Sequence, residues 1–285
     1  MRFTKYEGCG NDYLFFHLPG GEEIPRVEEL ARRISDRRFG VGADGIILLK
    51  DPPPGGGADV TMEMYNADGS RGEMCGNGFR GLCKMARERG LVGGETIRVM
   101  TDSGLRFGHL VMENGRVRSV RVDMGIPSLN RGDLPMEGPA GTAIESRVKA
   151  GVHELVGTAV SMGNPHFVVF LEEGVDVDDY PVGVVGPLVE NHPLFPRRVN
   201  TEFVEILGPS EVRQRTWERG SGETLACGTG ATAVAAAGIV TGRLESPVTV
   251  HLRGGDLGIA WEGKGKSAFM TGPTVEVFSG EYDWS

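Results

Sequence analysis

The sequence contains little cysteine, no paired metal-binding motif and no block of like charge, and each absence excludes a class of function. Its four cysteines, Cys9, Cys75, Cys83 and Cys227, form no CxxC pair and have no histidine-rich cluster beside them. This spacing argues against a zinc site and a disulfide framework, and it is typical of reduced thiols in the cytoplasm. The formal net charge of −9, without a basic segment, argues against nucleic acid or anionic lipid as a partner.

Long apolar segments are also missing. The first residues, MRFTKYEGCGND, have no apolar core of a signal peptide, so we expect a cytoplasmic protein. The stretch from Thr224 to Gly242 is uncharged, but its glycines and threonines make it too weakly apolar for a membrane span. We therefore predict no membrane association and a buried helix in this stretch.

Glycine, in contrast, is abundant, and the chain repeats itself. At 285 residues the chain exceeds the usual domain of about 100–200 residues, which favours two domains. Cysteine motifs of the form Cys-Gly-x-Gly begin at Cys75 and Cys227, 152 residues apart (75 to 227). The turns GNDY and GNPH begin at Gly10 and Gly163, 153 residues apart (10 to 163). Two motifs in one order at nearly one offset indicate two copies of one domain.

The repeat predicts the fold class, an α/β (α+β) protein of two pseudo-symmetric domains, each a curled mixed or antiparallel sheet around a central helix. Short runs such as YLFFHL, GIILL and FVVFL predict strands, and the amphipathic segment PRVEELARRISDRRFG predicts an external helix. The uncharged helix after Cys227 has no polar face and should be buried. We place the first domain at residues 1–120 and the second at 121–272, with a C-terminal strand in 273–285 packing back into the first.

Both repeated cysteines fall where a loop enters a helix. Unpaired backbone N–H groups and the helix dipole at such a position lower the pKa of a thiol, and neighbouring glycines let a carboxylate approach. Two thiols facing each other across a cleft between the domains suit inversion of a carbon stereocentre, because one thiolate removes a proton while one thiol returns a proton to the opposite face. For Cys9 and Cys83 we expect only a packing role.

The two copies differ in the polar residues around these cysteines. His166 in the second copy corresponds to Tyr13 in the first, and Glu218 lies as far before Cys227 as Asn66 lies before Cys75. A symmetric scaffold that binds an asymmetric ligand needs such a difference.

Six segments in family order over nearly the whole chain resemble diaminopimelate epimerases, which are amino-acid epimerases independent of pyridoxal phosphate. They are GCGND, GVGAD, YNADGSRGEMCGNGFR, GNPH, VNTEF and WERGSGETLACGTGA. Two positions depart from the pattern of many members, which carry Gln where this chain has Gly45 and His where it has Glu7.

The resemblance implies a site, a reaction and an assembly. Cys75 and Cys227 would be the acid/base pair, with His166 assisting Cys75 and Glu218 assisting Cys227. The implied substrate-binding residues are Asn11, Asn66, Gly76, Asn77, Asn164, Asn200, Glu218, Arg219, Gly228 and Thr229. The implied reaction converts LL-2,6-diaminopimelate to meso-diaminopimelate, in lysine and peptidoglycan precursor synthesis, without metal or cofactor. Homodimers are usual in the family.

Three other functions stay open at this stage. The chain could be a racemase or isomerase of the same fold that acts on proline, hydroxyproline or histidine, although Arg219 favours a substrate with a second carboxylate. It could be a thiol redox protein in which Cys75 and Cys227 form a disulfide, or an amino-acid-binding module in which both thiols are dispensable.

Overall fold

The computed structural model describes residues 1–72 and 74–284, which form two compact units. The first unit comprises Met1–Val122 and a C-terminal segment that begins at Thr271, and the second comprises Asp123–Met270. Glu73, the glutamate of the first cysteine motif, and Ser285 lie outside the described residues. Strands predominate over helices in both units, and this mixed architecture confirms the predicted fold class.

The first unit is built from two helices and a set of strands. The helices are α1 (Val27–Ser35) and α2 (Gly76–Glu88). The strands are β1 (Arg2–Gly8), β2 (Asn11–Leu18), β3 (Gly45–Lys50), β4 (Val60–Asn66), β5 (Arg71–Gly72), β6 (Thr96–Thr101), β7 (Gly104–Glu113), β8 (Arg116–Gly125) and, from the C-terminal segment, β18 (Val275–Glu281). Strand β18 pairs antiparallel with β1, so that Arg2 lies opposite Glu281.

The second unit repeats this plan. Its helices are α3 (Val182–Glu190) and α4 (Gly228–Val240). The strands are β9 (Ser146–Ala150), β10 (His153–Ser161), β11 (Pro165–Phe170), β12 (Asn200–Gly208), β13 (Glu211–Glu218), β14 (Gly222–Thr224), β15 (Val248–Leu252), β16 (Gly255–Trp261) and β17 (Ala268–Pro273), whose last three residues belong to the C-terminal segment. The runs predicted as strands in the sequence therefore form strands, and PRVEELARRISDRRFG contains α1.

Strand pairing shows that the two units are copies. In the first unit β2 pairs parallel with β3, β3 antiparallel with β4, β4 parallel with β6, and β6 antiparallel with β7. In the second unit β11, β12, β13, β15 and β16 pair in the same order and with the same alternation. The internal repeat of the sequence is thus a repeat of topology.

One helix in each unit is enclosed by strands. Helix α2 packs against β1, β2, β3, β4 and β7, and α4 packs against β10, β11, β12 and β16. Helix α4 is buried continuously from Gly230 to Gly238, as its lack of a polar face predicts. In contrast, α1 buries Leu30, Ala31 and Ile34 and exposes its charged residues. No helix in the described part of the chain is long and apolar enough to cross a membrane.

A charge cluster around the buried Asp12 fixes the loop after α1 to the start of β2. Arg37 donates two hydrogen bonds to the Asp12 carboxylate, at 2.6 and 3.2 Å, and a third to Asp44 at 2.8 Å. Lys5 Nζ lies 2.6 Å from Asp12. Burial by itself would raise the pKa of Asp12, but the hydrogen bonds and charges of Arg37 and Lys5 hold it below its ordinary value.

We expect Arg37→Met to lower the free energy of unfolding at neutral pH by about 1–2 kcal/mol, because charge-assisted hydrogen bonds to Asp12 are lost. A carboxyl with a depressed pKa in the folded state stabilises the fold above its unfolded pKa, near 3.9, and this contribution is lost as the pH falls through the folded pKa. The difference between variant and wild type should therefore shrink below about pH 4. Denaturant melts from pH 3 to 7 measure it.

Arg38→Met is the matched control for this measurement. Arg38 is exposed, and among the described residues its side chain forms no ion pair. Its replacement should leave stability unchanged at every pH. Equal losses of stability in the two variants would contradict the role assigned to Arg37.

Candidate active site

Both repeated cysteines occupy the N-cap position of the enclosed helix of their unit, as the sequence predicts. Cys75 precedes Gly76, the first residue of α2, and Cys227 precedes Gly228, the first residue of α4. The N–H groups of a first helical turn have no partner within the helix and carry the positive end of the helix dipole. Each unit therefore presents a thiol next to backbone donors that suit a carboxylate.

Cys75 is half-buried and lies among amide side chains. Its thiol donates to Asn11 Oδ1 at 3.4 Å, and Asn77 Nδ2 donates to the same oxygen at 3.3 Å. Asn11 in turn donates to Asp44 Oδ2 at 2.5 Å, which fixes the orientation of its amide. The Tyr13 hydroxyl is within hydrogen-bond reach of Cys75, and burial, followed by the charge of Cys75, raises the pKa of Tyr13.

Cys227 is buried, and its surroundings overturn the expected effect of the helix on its acidity. Gly230 N–H donates to Cys227 Sγ at 3.3 Å, and Thr229 Oγ1 lies 3.4 Å from it; both contacts favour the thiolate. Burial and the charges of Glu218 and Glu202 outweigh them and hold the pKa of Cys227 well above its ordinary value. The expectation of a lowered pKa is therefore wrong for this thiol.

A hydrogen-bonded chain leads from the sheet of the second unit to Cys227. Glu202 Oε1 lies 2.7 Å from His166 Nδ1, and His166 Nε2 lies 3.0 Å from Asn164 Oδ1. Asn164 Nδ2 donates to Thr229 Oγ1 at 3.3 Å, and Thr229 contacts Cys227. His166 and Glu202 are both fully buried. Four residues that the sequence singled out, Cys227, Thr229, Asn164 and His166, are thus connected, and Glu202, which it did not single out, ends the chain.

The remaining candidates of the second unit lie at the ends of neighbouring strands. Asn200 begins β12, and its Oδ1 accepts the backbone N–H of Arg219 at 2.8 Å. Glu218 ends β13 and accepts from the Thr224 hydroxyl at 2.5 Å. The Arg219 side chain is exposed and donates to Arg197 O at 3.1 Å.

Asn66, the corresponding candidate of the first unit, ends β4. Its Nδ2 donates to Ser70 Oγ at 3.0 Å, within the turn that leads towards Cys75. Glu7 accepts from Gly10 N–H at 3.2 Å and so supports the turn before Asn11.

The second glycine of each cysteine motif serves the packing of helix on sheet. A Cβ on Gly78 would lie 2.3 Å from Ile47 Cδ1, and one on Gly230 would lie 2.7 Å from Glu202 Oε1. A side chain at either position would require the buried Ile47 or Glu202 side chain of the sheet to move. The expectation that glycines clear space for a ligand does not account for these two.

Sequence reasoning missed three residues of these clusters: Asp44, Glu202 and Arg80. Arg80 is fully buried, donates to Pro273 O at 3.0 Å, and its charge faces Cys9, Cys75 and Glu7. A sequence signal existed only for Glu202. Alternation along a strand places it on the same face as Asn200, two residues earlier.

Cys9 and Cys83 are buried, and burial raises the pKa of Cys83 far above its ordinary value. No group of three His, Cys, Asp or Glu side chains within residues 1–72 and 74–284 is arranged to hold a metal ion.

Solved structures share this fold. A probable proline racemase from Agrobacterium radiobacter superimposes with a TM-score of 0.68 at 16% identity, covering 100% of this chain and 93% of that one. A hydroxyproline epimerase from Agrobacterium vitis gives a TM-score of 0.66 at 17% identity, covering 98% and 91%. At such identities the likeness establishes the fold alone.

Sequence relatives are much closer. The diaminopimelate epimerase of Pelotomaculum thermopropionicum is 49% identical and covers 100% of this chain and 99% of its own length. That of Moorella thermoacetica is 48% identical and covers 99% of each. The family model described as diaminopimelate epimerase matches residues 3–130 and 158–277. The fold, the repeated cysteine motifs and these matches agree, and the chain belongs to the diaminopimelate epimerase family of isomerases.

Proposed function

We propose that this enzyme converts LL-2,6-diaminopimelate to meso-diaminopimelate by proton transfer at the α-carbon, with Cys75 and Cys227 as the two acid/base groups. The observation that carries the proposal is the placement of these two thiols, each at the N-cap of the enclosed helix in one of two copied units. Inversion needs a base on one face of the carbon and an acid on the other, and two equivalent thiols supply both.

The two thiols have different surroundings, which favours different roles at the start of a cycle. Burial and the charges of two carboxylates raise the pKa of Cys227. We therefore assign Cys227 the role of the protonated thiol that donates the proton. Cys75, half-buried beside Asn11, is then the group that removes one. Glu218 assists Cys227; after burial, its charge is the largest contribution to the raised pKa of that thiol. His166 assists Cys75.

Substrate binding uses donors and acceptors around these thiols. The first-turn N–H groups of α2 and α4, at Gly76, Asn77, Gly228 and Thr229, receive the carboxylate next to the reacting carbon. The amides of Asn11, Asn66, Asn164 and Asn200 and the Glu218 carboxylate orient the substrate. Arg219, exposed and planar, pairs with the distal carboxylate.

The proposal extends to cellular role and assembly. The product is a precursor of lysine and of peptidoglycan, so we place the enzyme in the cytoplasm in those pathways. We further propose that it works as a homodimer and needs no pyridoxal phosphate, as the family resemblance implies.

The test is incubation with LL- or meso-diaminopimelate in heavy water under reducing conditions, with and without added pyridoxal phosphate. We expect interconversion of the isomers, one deuterium at the α-carbon of each inverted centre, and no effect of pyridoxal phosphate. Proline and hydroxyproline serve as control substrates and should not exchange. Absence of both exchange and interconversion with diaminopimelate at high protein concentration would contradict the proposal.

A further inference from the structure

The second unit buries a carboxyl group that its active-site chemistry has not yet explained. Glu202 lies on β12, fully buried, with Oε1 2.7 Å from Nδ1 of the fully buried His166 on the adjacent β11. Its other oxygen, Oε2, has no hydrogen-bond partner among the described residues. Burying a carboxyl group with only one of its oxygens hydrogen-bonded lowers the stability of the fold. Its presence therefore suggests a functional role.

The first unit shows that the fold does not need this carboxyl. In the parallel pairs, Tyr13 lies opposite Gly45 and His166 lies opposite Asn200. Two residues further along the second strand of each pair are Ile47 and Glu202, respectively. Ile47 faces Gly78 of α2, as Glu202 faces Gly230 of α4. The same position in the same topology therefore holds an apolar side chain in one copy and a carboxyl in the other.

The difference between Ile47 in the first unit and Glu202 in the second extends to the next strand, where the second unit again has polar side chains in place of apolar ones. Glu202 lies opposite Thr216 and Ile47 opposite Met64, so the pairs correspond. Gln214 Nε2 donates to Thr216 Oγ1 at 2.7 Å, and both residues are buried. A polar cluster of Glu202, Gln214 and Thr216 thus replaces methionine and isoleucine only in the unit where histidine replaces tyrosine.

We propose that Glu202 is a positioning residue that holds Nδ1 of His166 and thereby fixes which protons the imidazole carries at the active site. The inference rests on the proposed function, in which His166 assists the proton transfer. It assigns to Glu202 no contact with substrate.

The hydrogen bonds around the ring determine the proton count. Asn164 uses its Nδ2 to donate to Thr229, so its Oδ1 faces His166 Nε2, which must then carry a proton. The remaining proton lies between Nδ1 and Glu202 Oε1. Its position decides whether the ring is a neutral imidazole beside a carboxylic acid or an imidazolium beside a carboxylate. The pair has no net charge in either form.

The groups facing Glu202 set the balance between these forms. Burial raises the pKa of Glu202, the charge and hydrogen bond of His166 lower it, and the Glu218 charge on β13 raises it again, with a net rise. Cys227, at the start of α4, is the other titratable group in electrostatic contact with Glu202. The carboxyl therefore keeps its proton to higher pH than an exposed glutamate does, and it responds to the charge of two groups of the proposed mechanism.

Two variants separate the hydrogen bond from the proton exchange. Glu202→Gln keeps a polar partner for Nδ1 but cannot exchange a proton, and Glu202→Leu removes both functions while matching the apolar side chain that the first unit carries. We expect kcat to fall on the order of 10-fold in E202Q and 100-fold in E202L, the range seen when partners that orient a functional histidine are lost. KM should change little, and the pH dependence of kcat/KM should change in both.

The direct readout is the pair of ring-nitrogen chemical shifts of His166 in protein labelled with ¹⁵N-histidine, assigned by comparison with His166→Asn. E202L should change the Nδ1 shift and its pH dependence, because that nitrogen loses its hydrogen-bond partner, and E202Q should keep the Nδ1 shift nearer to that of the wild type but remove its pH dependence. Thr201→Val, an equally buried change at the preceding residue of β12, is the matched control and should alter neither shifts nor kinetics.

Unchanged His166 shifts in E202L, or an unchanged pH profile in E202Q, would overturn the proposal. If E202L does not fold, the pH profile and ring shifts of E202Q decide alone. Full activity of His166→Asn would contradict the role of His166 in the proposed function instead, because the ring shifts of the Glu202 variants are measured without substrate.

Discussion

Replacing Cys227 with alanine is expected to abolish inversion of diaminopimelate and to leave binding of the substrate intact. A positioned acid or base contributes about 10²–10⁴-fold to a proton transfer, and we expect a loss on the order of 10⁴-fold because no other group replaces the thiol. Isomer ratios measured by chiral chromatography give the rate, and calorimetric titration gives the affinity. Cys75→Ala should behave in the same way.

Deuterium exchange at the α-carbon in heavy water tests whether two separate bases act on the two faces of the carbon. With one thiol left, each variant should still exchange the α-hydrogen of one isomer and return deuterium to the same face, without inversion. Cys75→Ala and Cys227→Ala should differ in which isomer they exchange. The control is Cys83→Ala, a buried thiol in the interior of α2, which should retain activity. Inversion at the wild-type rate in either active-site variant would exclude the two-thiol mechanism.

Gly45→Ala is expected to lower the stability of the protein by about 3 kcal/mol, a fall of about 6–12 °C in the melting temperature. A Cβ at this position of β3 would lie 2.2 Å from the backbone oxygen of Tyr65 and 3.1 Å from Asn66 Cα on β4. A backbone oxygen in a strand pair cannot move aside as a flexible side chain can, so the pair must separate. Thermal melts followed by circular dichroism measure the change.

Gly72→Ala is the control for this effect. A Cβ there would lie 2.8 Å from Met64 Cε, the far end of a flexible side chain that can choose another rotamer. We expect a loss below about 1 kcal/mol, within the usual range for tolerated changes. Equal losses at Gly45 and Gly72 would show that the β3–β4 backbone adapts to a side chain at Gly45.

The positions of the two cysteines could be predicted from sequence because the signal is local. A loop rich in glycine followed by a helix-forming run identifies the N-cap, and the repeat identifies the second copy from the first. The buried helix α4 was predictable for the same reason, since its composition has no polar face.

The acidity of Cys227 could not be predicted in this way. The helix dipole is a local effect that the motif itself signals, whereas the burial of the thiol is set by the fold and Glu202 lies on a strand more distant in sequence. Glu218 is close in sequence, but the sequence does not show that its charge, with burial, outweighs the dipole. Glu202 was missed for a related reason. Alternation along β12 gives only the face on which it lies, and the pairing of β11 with β12 is needed to reveal that its carboxyl meets His166.

Gly78 and Gly230 illustrate the same limit. The sequence shows that these positions are glycine but not which neighbouring atoms a side chain would meet. A glycine required by an approaching ligand and a glycine required by packing against a sheet therefore look the same in sequence. At both positions the nearest atoms belong to side chains of the sheet, Ile47 and Glu202.

The pairing of β18 with β1 has a consequence for how the protein is made. Strand β1 is translated before the second unit, and the strand that covers its outer edge is translated only after it. Until then the first unit exposes unpaired backbone donors and acceptors, the kind of edge that recruits other chains. The second unit, continuous in sequence, can complete its own sheet earlier. Synthesis therefore favours a folding order in which the second unit forms first and the N-terminal unit closes last, with its exposed edge the point of greatest risk of aggregation.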